Sequence, residues 1–182
     1  MIRNALLMIL LATLGYSCAQ TPEKPVYEAP YAAKAPAIDA KASEAIWQQA
    51  AWAPIDQNWV GKNYTPEDFS GRYKAVWNEN RIFLLVEVTD DTLIDIHPDP
   101  LEAYWDDDCV EVFIDEDASG GNHQFNYNAF AYHVALDYNI ADIHTDSTAI
   151  LLNDHGTARH KRKGKNSLWE MSFRIYDDSF TP

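Results

Sequence analysis

From residue 72 onward, apolar and polar side chains alternate with a period of two, the mark of strands with one face turned to a core. Residues 72–77 and 81–89 form two such runs, and Asn78-Glu79-Asn80 between them predicts a tight hairpin. Further strand runs fall at 108–115, 122–136, 148–152 and 168–175. In the last, Trp169, Met171, Phe173 and Ile175 alternate with Glu170, Ser172 and Arg174, which predicts a half-buried strand. Residues 54–70 and 91–107 read as loops, broken by Pro54, Gly61, Pro66, Pro98 and Pro100. Upstream, Ser43-Glu44-Ala45-Ile46-Trp47 predicts a short helix with Ser43 as N-cap and Ile46 and Trp47 turned inward. No long helical period follows. The predicted fold is therefore all-β, a β-sandwich of mainly antiparallel strands with a short N-terminal helix.

The N-terminus has a different pattern. Arg3 precedes an apolar run at 5–14, too short to span a bilayer, and then Gly15-Tyr16-Ser17-Cys18. Residues 1–17 read as a secretory signal. Cys18 directly after Ser17 predicts lipidation at Cys18, an exported protein anchored by lipid to a bacterial outer membrane and facing periplasm or surface. Residues 18–36, with Pro22, Pro25, Pro30 and Pro36, read as a tether, and the domain is expected over 37–182. Asp177-Asp178-Ser179-Phe180-Thr181-Pro182 reads as a strand exit, so more chain is expected beyond it. With Cys18 lipidated, Cys109 is a lone cysteine, expected to pack as a small hydrophobe.

Composition narrows the function. Against 28 Asp+Glu stand 14 Lys+Arg, a net charge of −14 that disfavours nucleic-acid backbones. A hydrophobic content of 47% excludes a disordered chain. Five basic residues cluster at 159–165, expected to be a hairpin tip able to meet anionic glycans or lipid phosphates. The six histidines have no compact metal-ligand spacing.

Strand phase locates the candidate chemistry. Over 108–115, Val110, Val112 and Ile114 share the core face, which puts Cys109, Glu111 and Phe113 on the other. Gln124, Asn126 and Asn128 likewise share one face. Carboxamides both donate and accept, as sugar hydroxyls require. Trp105, just before the acidic strand, supplies a flat ring on which a sugar can stack. Trp59, in a polar loop, is a second aromatic candidate. The plainer alternative leaves the amides in solvent and both tryptophans packed over core edges. Asp115, Asp117 and Ser119 place oxygens at alternate positions before Gly120, a possible Ca²⁺ loop lacking the later bidentate Glu. Glu111 with Asp108 or Asp115 could form a glycosidase pair, the least favoured reading.

Four stretches together resemble the family 9 carbohydrate-binding modules: Ala37-Ile38-Asp39 through Trp47, Val76 through Phe83, Trp105 to Asp108, and Val110 to Asp115. The resemblance implies a β-sandwich that binds glucan or xylan ends without catalysis, often with calcium, alongside glycoside hydrolases. It implies that Trp105 stacks on sugar and Glu111 binds hydroxyls. Gln124-Phe125-Asn126 falls where members of the family place a sugar-binding arginine, and Asn126 stands in its place. The family's second stacking tryptophan lies in a C-terminal part beyond this sequence, with Trp59 the candidate substitute. A related superfamily branch binds haem through Met and His. That makes Met171 with a histidine the alternative reading, set against core packing for Met171.

Overall fold

The computed structural model describes residues 26–58, 61, 63–116, 118, 120 and 129–176. Nine strands form among them: β1 (Ala53–Ile55), β2 (Phe69–Asn78), β3 (Arg81–Asp90), β4 (Cys109–Asp115), β5 (Ala129–Ala135), β6 (Ile140–Ile143), β7 (Ala149–Leu151), β8 (Gly156–Lys163) and β9 (Asn166–Arg174). They make two antiparallel sheets, in the orders β1-β2-β3-β9-β8 and β4-β5-β6-β7. The inner faces meet in one core. Leu84, Val86, Trp169, Met171 and Phe173 come from the first sheet, and Val112, Phe130, Tyr132, Val134 and Ile140 from the second. This is the expected sandwich.

The β2–β3 hairpin falls where the alternation put it. Asn78 and Arg81 pair across the turn, and the Asn78 side-chain oxygen accepts the Asn80 and Arg81 N–H groups at 3.1 and 3.0 Å. That is the local bonding that suits Asn to turns. In β4 the phase is also as expected: Val112 is buried, while Glu111 and Phe113 are exposed. Met171 is wholly buried within the core cluster.

Three expectations need correction. The short helix is a single 3-10 turn, Ala45–Gln48. Glu44, not Ser43, holds the N-cap position, and its side chain makes no capping bond. Trp47 is buried as expected and Ile46 only half-buried. The basic run is not a hairpin tip. Arg159, Lys161, Arg162 and Lys163 lie within β8, and only Gly164 and Lys165 make the turn to β9. Gly164 there has φ +62°, which glycine adopts without strain. Finally, β9 is buried on both faces, because Glu170 and Ser172 are as inaccessible as the Met171 between them.

The cause of that third difference is a layer over the outer face of the five-stranded sheet. Ala32, Trp47 and Ala50 pack on Val76, Phe83 and Leu85 as a second core. Tyr27 is already fixed: its hydroxyl donates to the Ala51 carbonyl at 2.6 Å and accepts the Ala75 N–H at 3.1 Å. Tyr31 bridges to Trp77 in parallel. The chain therefore packs onto the domain well before Ala37.

Glu170 anchors this layer. Its Oε2 accepts the N–H groups of Asp39 and Lys41, both at 3.1 Å. Its Oε1 accepts Ala42 N–H at 3.1 Å and the Trp47 indole N–H at 3.2 Å. Four donors satisfy both oxygens of a carboxylate that would be costly to bury alone. To aim those N–H groups inward, the backbone turns left-handed at Ala40 (φ 57°) and Ala42 (φ 50°). This costs roughly 1–3 kcal/mol per non-glycine residue. The successive amides form a concave anion nest around the carboxylate.

Candidate functional site

The loop between β3 and β4 brings Trp105 to the start of β4, and its acidic residues fold it. Asp107 Oδ1 and Oδ2 accept the N–H groups of Ile96 and His97, each at 2.9 Å. Asp108 Oδ2 accepts Ile94 N–H at 2.8 Å, while Asp108 N–H donates to the Ile94 carbonyl at 2.8 Å. The two carboxylates thus clip the outgoing and returning arms together. The Ile96 and His97 amides hold the Asp107 carboxyl below its ordinary range, whereas desolvation pulls that of Asp108 up.

Trp105 stands on the returning arm of this clipped loop, two residues before Asp107, with 61% of its surface exposed. Its ring meets Tyr104 edge to face, with centroids 4.9 Å apart. Tyr104 meets His133 of β5 in the same way at 4.7 Å. His133 pairs across the sheet with Glu111, and its Nε2 lies 3.4 Å from Glu111 Oε1. The other ring nitrogen, Nδ1, lies 2.8 Å from the Ala131 carbonyl. A carbonyl only accepts, so Nδ1 carries a hydrogen and fixes the ring orientation. Trp105, Tyr104, His133 and Glu111 thus form a continuous chain of contacts on the outer face of the four-stranded sheet. Burial, then the charges of Asp142 and Glu111, raise the Tyr104 phenol, so it stays a neutral O–H donor at neutral pH.

Phe113 adds a second exposed apolar ring on the same face of β4, 64% exposed. Opposite it β5 carries a small side chain: Phe113 pairs with Ala131, and Cys109 with Ala135, with His133 between the two alanines. The Cys109 thiol is pushed up to about 12 by burial and the neighbouring carboxylates. It therefore remains a neutral thiol, in keeping with the expected packing role.

Of the residues expected to bind sugar, Trp105 and Glu111 are brought to one face. Trp59, Gln124, Asn126 and Asn128 lie outside the described residues. So do Cys18 and, of the expected calcium loop, Asp117 and Ser119. Asp115 is described, and its Oδ2 accepts the Gly120 N–H at 2.7 Å, closing the loop on itself. Among the described residues no three His, Cys, Asp or Glu converge to hold a metal ion. Neither glycosidase pairing is built. Glu111 and Asp115 are four residues apart on one strand, about 13 Å by strand rise, beyond the ~5–9.5 Å such pairs need. Asp108 is engaged elsewhere, its Oδ2 accepting the Ile94 N–H at 2.8 Å.

Sequence reasoning missed Tyr104 and His133. The Tyr104-Trp105 tandem in a polar loop was a usable signal. His133 carried none, because its pairing with Glu111 depends on sheet register.

A family model described as "Carbohydrate family 9 binding domain-like" matches residues 38–179, and the chain belongs to this family. Among solved structures, the fold is similar to a family 9 carbohydrate-binding module from Caldicellulosiruptor kristjanssonii solved with glucose. The identity is 16% and the TM-score 0.56, over 84% of this chain and 70% of that one. The same organism's module solved with cellotriose gives 16% identity and a TM-score of 0.55, over 84% and 69%. A candidate carbohydrate-binding protein from Bacteroides uniformis is 12% identical with a TM-score of 0.51, over 81% and 70%. No curated protein sequence matches the chain significantly.

Proposed function

We propose that this chain is a non-catalytic module that binds the end of a glucan- or xylan-type oligosaccharide on the outer face of the four-stranded sheet. Trp105 is the stacking platform, and Glu111 accepts hydroxyl protons. Tyr104 and His133 hold the two in register, and the Tyr104 hydroxyl is a further donor. Gln124, Asn126, Asn128 and Trp59 complete the reading from sequence.

The observation that carries it is the joint exposure of Trp105 and Glu111 on one face, linked through Tyr104 and His133. Family membership supports it, as do similar modules solved with glucose and cellotriose. A flat indole beside an acceptor matches the amphipathic faces of a pyranose.

The physiological setting follows as part of the same proposal. Cys18 carries a lipid anchor on a bacterial outer membrane, and the module supports polysaccharide catabolism alongside glycoside hydrolases.

Tryptophan fluorescence titrated with cellotriose and xylotriose tests the site. Trp47 and Trp169 are buried, which isolates them from ligand. Trp105→Ala should sharply reduce the sugar-induced change and weaken binding at least about tenfold, the loss of one aromatic contact with its buried area. Titration curves that superimpose for parent and variant would refute the site.

A further inference from the structure

On the outer face of the five-stranded sheet, four lateral rows cross β2, β3, β9 and β8. Val76-Phe83-Ser172-Thr157 and Lys74-Leu85-Glu170-Arg159 run beside the N-terminal layer. The next two rows, Arg72-Glu87-Leu168-Lys161 and Ser70-Thr89-Asn166-Lys163, line an open groove of about 730 Å³. This groove lies on the sheet that does not carry Trp105.

Its chemistry is specific. Arg72 is held by Glu87, with Nε donating to Oε2 at 2.7 Å, and its guanidinium lies 4.2 Å over the Trp52 ring. Thr89 Oγ1 donates to Asn166 Oδ1 at 2.8 Å. Lys161 and Lys163 have no carboxylate partner among the described residues. Two residues apart on β8, they project to the same side, about 6.6 Å apart along the strand. A chain of net charge −14 thus concentrates unpaired positive charge in one hollow. Past Ser70 and Gly71 the groove continues into a second hollow of about 570 Å³, where Tyr64 stands 58% exposed.

We infer that this groove is a second binding site, for a carboxylated glycan chain such as a polyuronate. Lys161 and Lys163 pair with successive carboxylates. Ser70, Thr89 and Asn166 exchange hydrogen bonds with ring hydroxyls, and Leu168 forms an apolar floor. Hydroxyl-bearing side chains and an exposed phenol ring suit a sugar and add nothing for a bare phosphate. The acidic balance of the whole chain repels the dense charge of a nucleic acid or an anionic bilayer, whereas a uronate carries one charge per ring.

Calorimetric titration of the full chain with polygalacturonate at low salt tests this. Binding should weaken steeply with added salt. In Lys161→Ala/Lys163→Ala it should weaken severalfold, up to about thirtyfold, the loss of two exposed charge pairs. Trp105→Ala should bind polygalacturonate as the parent does, and the lysine variant should bind cellotriose as the parent does. Thr89→Ala gives a second, uncharged reading of the same groove and should weaken polygalacturonate severalfold. Equal polygalacturonate affinity in parent and lysine variant overturns the proposal, and self-association of that variant would assign the lysines to guarding the sheet edge. Loss of polygalacturonate binding in Trp105→Ala, or lysine-dependent binding of phosphatidylglycerol vesicles without polygalacturonate binding, overturns it equally.

Discussion

β4 and β9 carry nearly the same binary pattern, yet their polar faces meet opposite fates. Each turns three apolar residues into the sandwich core and places a glutamate on the other side. The Glu111 side chain is 42% exposed, with one imidazole 3.4 Å away, whereas Glu170 is wholly buried among four N–H donors. The difference lies in what covers each sheet. Residues 27–52 roof part of the five-stranded sheet and turn its glutamate into a structural anchor. A carboxylate facing away from a core is available to a ligand only where no layer lies on top of it.

The most severe way to break this contrast is Glu170→Ala. The buried Trp47 indole N–H and three part-buried backbone N–H groups would lose their acceptor, at about 1–3 kcal/mol for each that nothing replaces. We expect a loss of at least about 3 kcal/mol by urea denaturation, and a loss under ~1 kcal/mol would mean the roof is held some other way.

The matching change on the exposed side is Glu111→Gln. Stability should stay within ~0.5 kcal/mol, as for most surface substitutions. Cellotriose affinity should drop about tenfold, the value of one charge-assisted hydrogen bond. A destabilised variant with intact affinity would reverse the roles assigned to the two glutamates.

Acidification probes the core between the two sheets in a graded way. Burial lowers the pKa of His155 below its ordinary 6.5 within the core, where Nδ1 lies 2.9 Å from the Tyr132 hydroxyl. His160, stacked on Trp169 with centroids 4.3 Å apart, is lowered by burial and by Arg162. The unfolded chain takes up these protons near pH 6.5 and the folded chain only at lower pH. Stability is therefore full above that value and declines as pH falls through the window below it. Thermal melts between pH 7.5 and 5 should show a falling Tm, and a smaller fall in His160→Phe. The depressed carboxyls of Asp107 and Asp146 titrate at lower pH, which keeps this window clear of them.

The smallest effect is expected from Arg72→Ala, at the border between roofed and bare rows. The pair with Glu87 is solvent-exposed, so its loss should cost under ~1 kcal/mol and shrink further in high salt. A larger loss would show that the stack of Arg72 on Trp52 holds the roof edge in place.

Much of the fold was readable in advance, for local reasons. The β2–β3 hairpin announces itself through Asn78 and two long alternating runs. β4 displays its phase in Val110, Val112 and Ile114. β6 is too short to establish a period, with one pairing strand on either side. β8 escaped because its inward positions include Gly156, His160 and Arg162, which do not read as a core face. There Arg162 Nη2 donates to the Asp90 carbonyl at 2.7 Å. Tyr104 and His133 were overlooked as site residues because they join Trp105 to Glu111 only through the β4–β5 register.

The alternation of side chains by itself determined the two-sheet core and which way Glu111 points, because a strand's period of two is a local property of the backbone, whereas Trp105 is placed by the loop that Asp107 and Asp108 clip. Which outward faces remain open was decided only in three dimensions. Burial of Glu170 and exposure of the Lys161 row depend on where residues 27–52 come to rest, a contact across more than a hundred positions of chain that no local pattern encodes.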